Sequence, residues 1–190
     1  MFLLLLNPGL EPGDYYAEYC SAEFRATLRR NLRQKFDGTE RYPFWPLDPK
    51  HAWHPGGRYF RKKLHWLADA VAKHNAVPYL DGLSRVAREV CGLQLLPYHS
   101  ASFRRAAWVM NDLPSKGLVT DFVREVLESR DDVLVIILRA ADDWDIPDGP
   151  NVVRYTDQQA RAAHLTPGSP GGSALIKHFK LGPRHLRRSA

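Results

Sequence analysis

Four short apolar runs punctuate the chain: Phe2 to Leu6, Cys91 to Leu96, Val133 to Leu138 and Val152 to Tyr155. Most do not alternate with polar residues, and a strand without a polar face is one covered on both sides, as in a parallel sheet. The stretches between them carry helical period instead. Phe60, Leu64, Leu67 and Val71 recur every three or four residues, and Leu118, Val119, Phe122, Val123, Val126 and Leu127 make a second stripe. Ala17 to Phe36 and Leu83 to Val90 fit further helices. Strands alternating with helices predict an α/β fold, a three-layer sandwich around a central, mainly parallel four-stranded sheet.

The segment 42–57 breaks this pattern. Pro43, Pro46, Pro49 and Pro55 stand there among Tyr42, Phe44, Trp45 and Trp53, so neither a regular helix nor a central strand is expected. Long loops in compact domains commonly carry function, and exposed rings in one would offer stacking surfaces for bases. The same rings would equally pin the loop to a core.

Composition narrows the class. With 190 residues, 44% hydrophobic and 25% charged, the chain is expected to form one globular domain over 1–180, followed by a basic tail over 181–190. Two cysteines, Cys20 and Cys91, exclude a four-cysteine zinc site or iron–sulfur cluster within one chain and suit a reducing, cytoplasmic setting. The opening apolar run stops at Asn7-Pro8 with no basic residue before it, which is too short for a signal peptide. Nothing later approaches a membrane span, so no membrane partner is expected.

The net charge of +6 is unevenly placed: Ser173 to Ala190 holds Lys177, Lys180, Arg184, Arg187 and Arg188 without an acid. Arg25, Arg29, Arg30, Arg33 and Lys35 form another basic run, and Arg58, Arg61, Lys62 and Lys63 a third. A monomer that binds a polyanion, DNA above all, fits this distribution, although solvated helix faces carry such runs too.

Ligands of open parallel sheets bind beyond the carboxyl ends of the strands. The expected strands place Asn7-Pro8-Gly9-Leu10, Pro97-Tyr98-His99-Ser100, Arg139 with Asp142-Asp143, and Thr156 with the glycine-rich 166–173 segment at those ends. The Asn7 carboxamide both donates and accepts, which suits it to hold a water or a base edge, and it equally suits a turn. His99 would donate to a developing anion or move a proton. Ser100 lacks the G-x-S-x-G setting of a serine hydrolase. The backbone amides of Gly168 to Ser173, leading into Ala174-Leu175-Ile176, would face a phosphate at a helix start. His51 and His54, three residues apart, do not by themselves make a metal site, and neither a metal nor another cofactor is expected.

In these features the chain resembles the uracil-DNA glycosylase superfamily, most closely its mismatch-specific uracil/thymine branch. Asn7-Pro8-Gly9-Leu10 directly after the first strand is similar to that branch's motif. Arg58-Tyr59-Phe60-Arg61-Lys62-Lys63-Leu64 after the aromatic loop resembles an aromatic-basic helix start of the family. The Pro/Ser/Gly segment after the last strand stands where the family has its DNA-intercalating motif. In the family, His, Asn or Met usually precedes Pro-Ser; here Thr166-Pro167-Gly168-Ser169 fills the place and His164 lies two residues before it.

The resemblance implies a monofunctional DNA glycosylase that removes a flipped-out uracil-like, mismatched or modified base, in repair or in attack on foreign modified DNA. It gives Asn7, His99 and His164 the catalytic positions, and Pro8, Gly9, Phe44, Trp45 and Tyr98 the substrate pocket, with Phe24 and Tyr42 as other stacking rings. Ser169, Gly171, Gly172, Ser173, Lys177, Lys180, Arg187 and Arg188 would meet DNA. The family's second strand often supplies a base-reading Asn; Gln94 and Tyr98-His99 are the residues near that place, which implies a base other than plain uracil. A non-catalytic nucleic-acid-binding protein and a nucleoside or nucleotide hydrolase remain open on the same fold.

Overall fold

The computed structural model describes residues 1–100 and 113–183. The chain is α/β. Its sheet is wholly parallel, with β1 (Phe2–Leu5), β2 (Cys91–Gln94), β3 (Val135–Ile137) and β4 (Val152–Arg154) in the order β2-β1-β3-β4. Each strand lies inside an apolar run of the sequence. Leu3 and Leu4 point to opposite faces of the sheet and are both fully buried, which is why the run does not alternate.

Parallel neighbours cannot be joined by tight turns, so every connection contains helix. Among the described residues the helices are α1 (Gly13–Cys20), α2 (Ala22–Leu32), α3 (Pro55–His74), α4 (Tyr79–Glu89), α5 (Pro114–Ser129), α6 (Ala141–Trp144), α7 (Asp157–Ala162) and α8 (Pro170–His178). A parallel sheet with this many helices is consistent with the three-layer sandwich expected above. No described helix is long and apolar enough to cross a membrane.

The residues gather into two compact units: Met1–Leu10, Cys91–His164 and Gly168–Ala174 form one, and Glu11–Val90, Leu165–Pro167 and Leu175–Ala190 the other. The first contains the sheet. Its core joins Leu4, Leu95, Val123, Val135, Ile137, Trp144 and Ile146, and the ring of Phe2 meets Phe122 edge-on at 5.7 Å. Of the stripe expected on α5, Val123 is buried whereas Leu118 and Phe122 are exposed, because a single helix face reaches the core.

The second unit is helical. The stretch Ala17 to Phe36 is two helices rather than one. Ser21 leaves helical geometry, and its hydroxyl accepts from the Phe24 N–H at 3.1 Å, which starts α2 anew. The stripe Phe60, Leu64, Leu67 and Val71 on α3 is buried as its spacing predicts.

Against that stripe's helix, α4 packs at Gly82, where a Cβ would lie 2.4 Å from the Ala68 carbonyl oxygen and 2.7 Å from the Ala72 Cβ. The obstacle is backbone of a packed helix, which cannot swing aside. Gly82→Ala is therefore expected to lower stability by about 1–3 kcal/mol through overpacking, although alanine is the better helix former. Urea unfolding of the two proteins measures this, and an unchanged midpoint would show that the helices separate freely.

Candidate functional site

In a sheet of order β2-β1-β3-β4 the connections leave β1 and β3 in opposite directions, which makes their carboxyl ends the topological switch point and the expected crevice. β1 is followed there by Leu6, Asn7 and Pro8. Proline has no N–H to give a ladder and holds the preceding residue extended, so regular pairing ends and the Asn7 side chain is released from the sheet's alternation. Pairing with the β2 side nevertheless resumes beyond the strands. The Leu96 N–H donates to the Leu6 carbonyl (2.9 Å), the Ser100 N–H donates to the Pro8 carbonyl (3.2 Å), and Gly9 bridges Ser100. The two loops therefore run side by side and hold each other.

Within this frame the half-buried Asn7 donates from Nδ2 to the Pro8 carbonyl at 3.0 Å and to Ser100 Oγ at 3.3 Å. Only the amide nitrogen can donate to a carbonyl, so the orientation of the carboxamide follows from its partner. Both bonds use Nδ2, and Oδ1 is left as the acceptor. His99 Nδ1 donates to the Gly9 carbonyl at 2.6 Å. In the neutral ring Nε2 is then the acceptor nitrogen, and only the protonated ring offers a second N–H. A Cβ at Gly9 would meet nothing within 4 Å and its φ is not left-handed, so the fold itself does not require glycine. The open space beside its backbone suits the approach of a ligand.

The structure thus brings together Asn7, Pro8, Gly9, Tyr98, His99 and Ser100, residues taken from two strand ends. The Tyr98 ring is 63% exposed beside His99. Gln94 ends β2 with its Oε1 shielded from solvent and without a hydrogen-bond partner among the described residues. Arg139 is exposed beyond β3, and its Nη2 donates to the Arg161 carbonyl at 3.3 Å.

Beyond β4 the organising residue is Tyr155, which the sequence showed only as the end of an apolar run. Its buried phenol donates to the His164 carbonyl, accepts from the Gly171 N–H at 3.1 Å and lies 3.2 Å from Ser169 Oγ. Ser169 Oγ accepts from the Gly172 N–H at 3.0 Å, and Ser169 caps α8, with Pro170 at the first helical position. This corrects the expectation for the glycine-rich segment: Gly171 and Gly172 are buried in the first turn of α8, and their amides are satisfied by Tyr155 and Ser169 rather than open to a phosphate. Ser173, Lys177 and Lys180 are exposed, whereas Arg187 and Arg188 lie outside the described residues. The His164 side chain is exposed, and what joins this residue to the knot is its backbone. β4 stands two strands from β1, about 10 Å.

The aromatic loop is corrected too. In the second unit Phe44 packs edge-on to Phe60 at 4.8 Å, and Trp45 packs edge-on to Phe24 at 5.1 Å. Both are half-buried and pin the loop to its own unit. His51 and His54 complete the same aromatic cluster, with Phe24 5.1 Å and 4.6 Å from their rings. His51 Nε2 lies 3.3 Å from Thr27 Oγ1, while His54 Nδ1 accepts from the Gly56 N–H and starts α3. Among the described residues no group of three or more His, Cys, Asp or Glu is placed to hold a metal. Burial pushes the Cys91 thiol up, away from the nucleophilic thiolate.

Burial holds the His51 ring below the ordinary histidine value of 6.5, against the opposing pull of Asp48 and Glu23. The folded protein therefore keeps a neutral ring where the unfolded chain binds a proton. This contribution to stability is complete above pH 6.5 and is lost as the pH falls through that value toward the lower folded one. Thermal melts across this range are expected to fall more steeply for the native protein than for His51→Gln, which cannot titrate; parallel curves would refute the assignment.

No family model, curated protein or solved structure matches this chain.

Proposed function

We propose that this protein is a monofunctional DNA glycosylase that hydrolyses the N-glycosidic bond of an extruded uracil-like, mismatched or modified base. One observation carries the reading: the Asn7 carboxamide is fixed at the switch point by two bonds from its nitrogen, with its oxygen left as an acceptor. An acceptor held in this way can orient a water. The water oxygen bonds to the sugar C1′ as the C1′–N bond breaks, the bonding pair leaves with the base, and a water proton neutralises it. No oxidant, reductant or metal enters this balance.

Positive charge on the sugar and negative charge on the base develop together, so fixed dipoles at the site stabilise the transition state more than the ground state. A carboxamide is no strong base, and slow turnover follows. Extrusion costs a few kcal/mol, which stacking partly offsets; the exposed ring of Tyr98 stands next to His99 for that purpose. The side-by-side loops keep Asn7 and His99 in place without reorganisation.

The resemblance described above points the same way, since its Asn-Pro-Gly-Leu motif falls on the residues that carry this geometry. The test is excision from single- and double-stranded oligonucleotides bearing uracil, thymine mismatches and modified cytosines, read as alkali-labile strand breaks. Cleavage of at least one substrate is expected. Inertness across the whole panel overturns the proposal, and turnover of free nucleosides alone would make the protein a nucleoside hydrolase.

A further inference from the structure

The second unit carries a surface that the proposed chemistry does not use. α1 is an eight-residue helix with three tyrosines, and all three are turned to solvent: Tyr15 is 60% exposed, Tyr16 71% and Tyr19 83%. Its inner face is spent on Asp14 and Ala17. At helical spacing Tyr15 and Tyr19 share one stripe, with Tyr16 beside it. A helix of this length would normally hide one such ring, and a cluster of exposed rings marks a binding surface.

A basic row begins at the end of the tyrosine helix. Arg25, Arg29 and Arg33 follow one another at four-residue spacing along α2 and its cap, which places successive guanidinium groups on one slowly drifting face about 6 Å apart in rise. The row begins at the tyrosines themselves, because Arg25 Nη1 donates to the Glu18 carbonyl at 3.1 Å and to that of Tyr19 at the end of α1. Arg29 and Arg33 make no ion pair with described residues, whereas their neighbour Arg30 is drawn toward Glu40 at 4.0 Å.

Planar rings that take bases of any identity, followed by a file of cations for the backbone, are the two components of a single-strand binding track. We infer that the α1–α2 face binds single-stranded DNA, with bases stacked on Tyr15, Tyr16 and Tyr19 and phosphates on Arg25, Arg29 and Arg33. The choice of DNA as partner rests on the glycosylase reading; the stacking and charge do not. Paired bases hide their faces inside the duplex, so the tyrosines distinguish single strands from double.

The experiment is fluorescence anisotropy with the full chain and an unmodified, labelled oligothymidine of about twelve nucleotides, beside a duplex of the same length. Combined Tyr15→Ala, Tyr16→Ala and Tyr19→Ala is expected to weaken single-strand binding by roughly tenfold to a hundredfold and to leave duplex binding within about twofold. The combined Tyr→Phe variant keeps the rings and is expected to bind like the native protein. Arg29→Glu with Arg33→Glu should flatten the salt dependence. Unchanged single-strand affinity in the alanine variant, equal losses in the alanine and phenylalanine variants, or sedimentation showing that the tyrosines join two copies of the chain would each overturn the inference. Undamaged DNA keeps the two proposals separable: tyrosine-dependent binding without excision sinks the glycosylase alone, and excision with tyrosine-independent binding sinks this surface alone.

Discussion

Asn7→Ala is expected to lower base excision by about a hundredfold to a thousandfold while leaving DNA affinity within a few-fold, which is the scale seen when one preorganised polar group is removed from a transition state. The loss should fall on kcat, because an oriented water matters only when the bond to the base is breaking. Stability should fall only moderately. The side chain is half-buried and its two bonds reach a loop carbonyl and a hydroxyl, so their removal costs about 1–2 kcal/mol. Ser100→Ala removes only the 3.3 Å contact and keeps the Pro8 anchor, and a loss within about tenfold is expected. His99→Ala frees the Gly9 carbonyl and loosens the loop, placing it between the two. Single-turnover kinetics on one cleaved oligonucleotide orders the three variants. An Asn7→Ala protein that excises at the native rate would remove Asn7 from the reaction.

The parallel sheet was legible because burial on both faces writes itself into sequence as unbroken apolar runs, and Leu3, Leu4, Ile136 and Ile137 are indeed fully buried. The placement of Asn7 beyond β1 followed directly, since Pro8 has no N–H to give to the ladder of a central strand. Other features depend on tertiary geometry that no local pattern contains. The rings of Phe44 and Trp45 read alike whether they face solvent or pack on Phe60 and Phe24, and only the packed structure decides.

The break at Ser21 turns on a single hydroxyl within a stretch of otherwise helical character. Ser169-Pro170 carried a usable signal, a capping residue followed by proline at the first helical position, which the adjoining glycines disguised as a flexible turn. The exposed tyrosines of α1 escaped because a short helix with two inward residues shows no apolar period.

Tyr155→Phe is expected to cause a large loss of stability through a single oxygen. Phenylalanine fills the same space, so packing is preserved and the change isolates the hydroxyl. Without it the buried Gly171 N–H loses its acceptor and the His164 carbonyl its donor. Unsatisfied groups of this kind cost about 1–3 kcal/mol each, for a total of roughly 2–4 kcal/mol. At this chain length that lowers Tm by roughly 5–15 °C.

The functional signature should oppose that of Asn7→Ala. Tyr155 touches no reacting atom in the proposed mechanism; it positions the first turn of α8, whose exposed Ser173 would meet the DNA. Its removal is therefore expected to raise KM for oligonucleotides several-fold with kcat largely kept, the pattern of lost uniform binding. Ser169 belongs to the same knot, with its Oγ 3.2 Å from the phenol and 3.0 Å from the Gly172 nitrogen. Tyr155→Phe combined with Ser169→Ala should therefore cost less than the two changes added, by about 0.5 kcal/mol or more. Strict additivity in urea unfolding would mean that the two hydroxyls act apart.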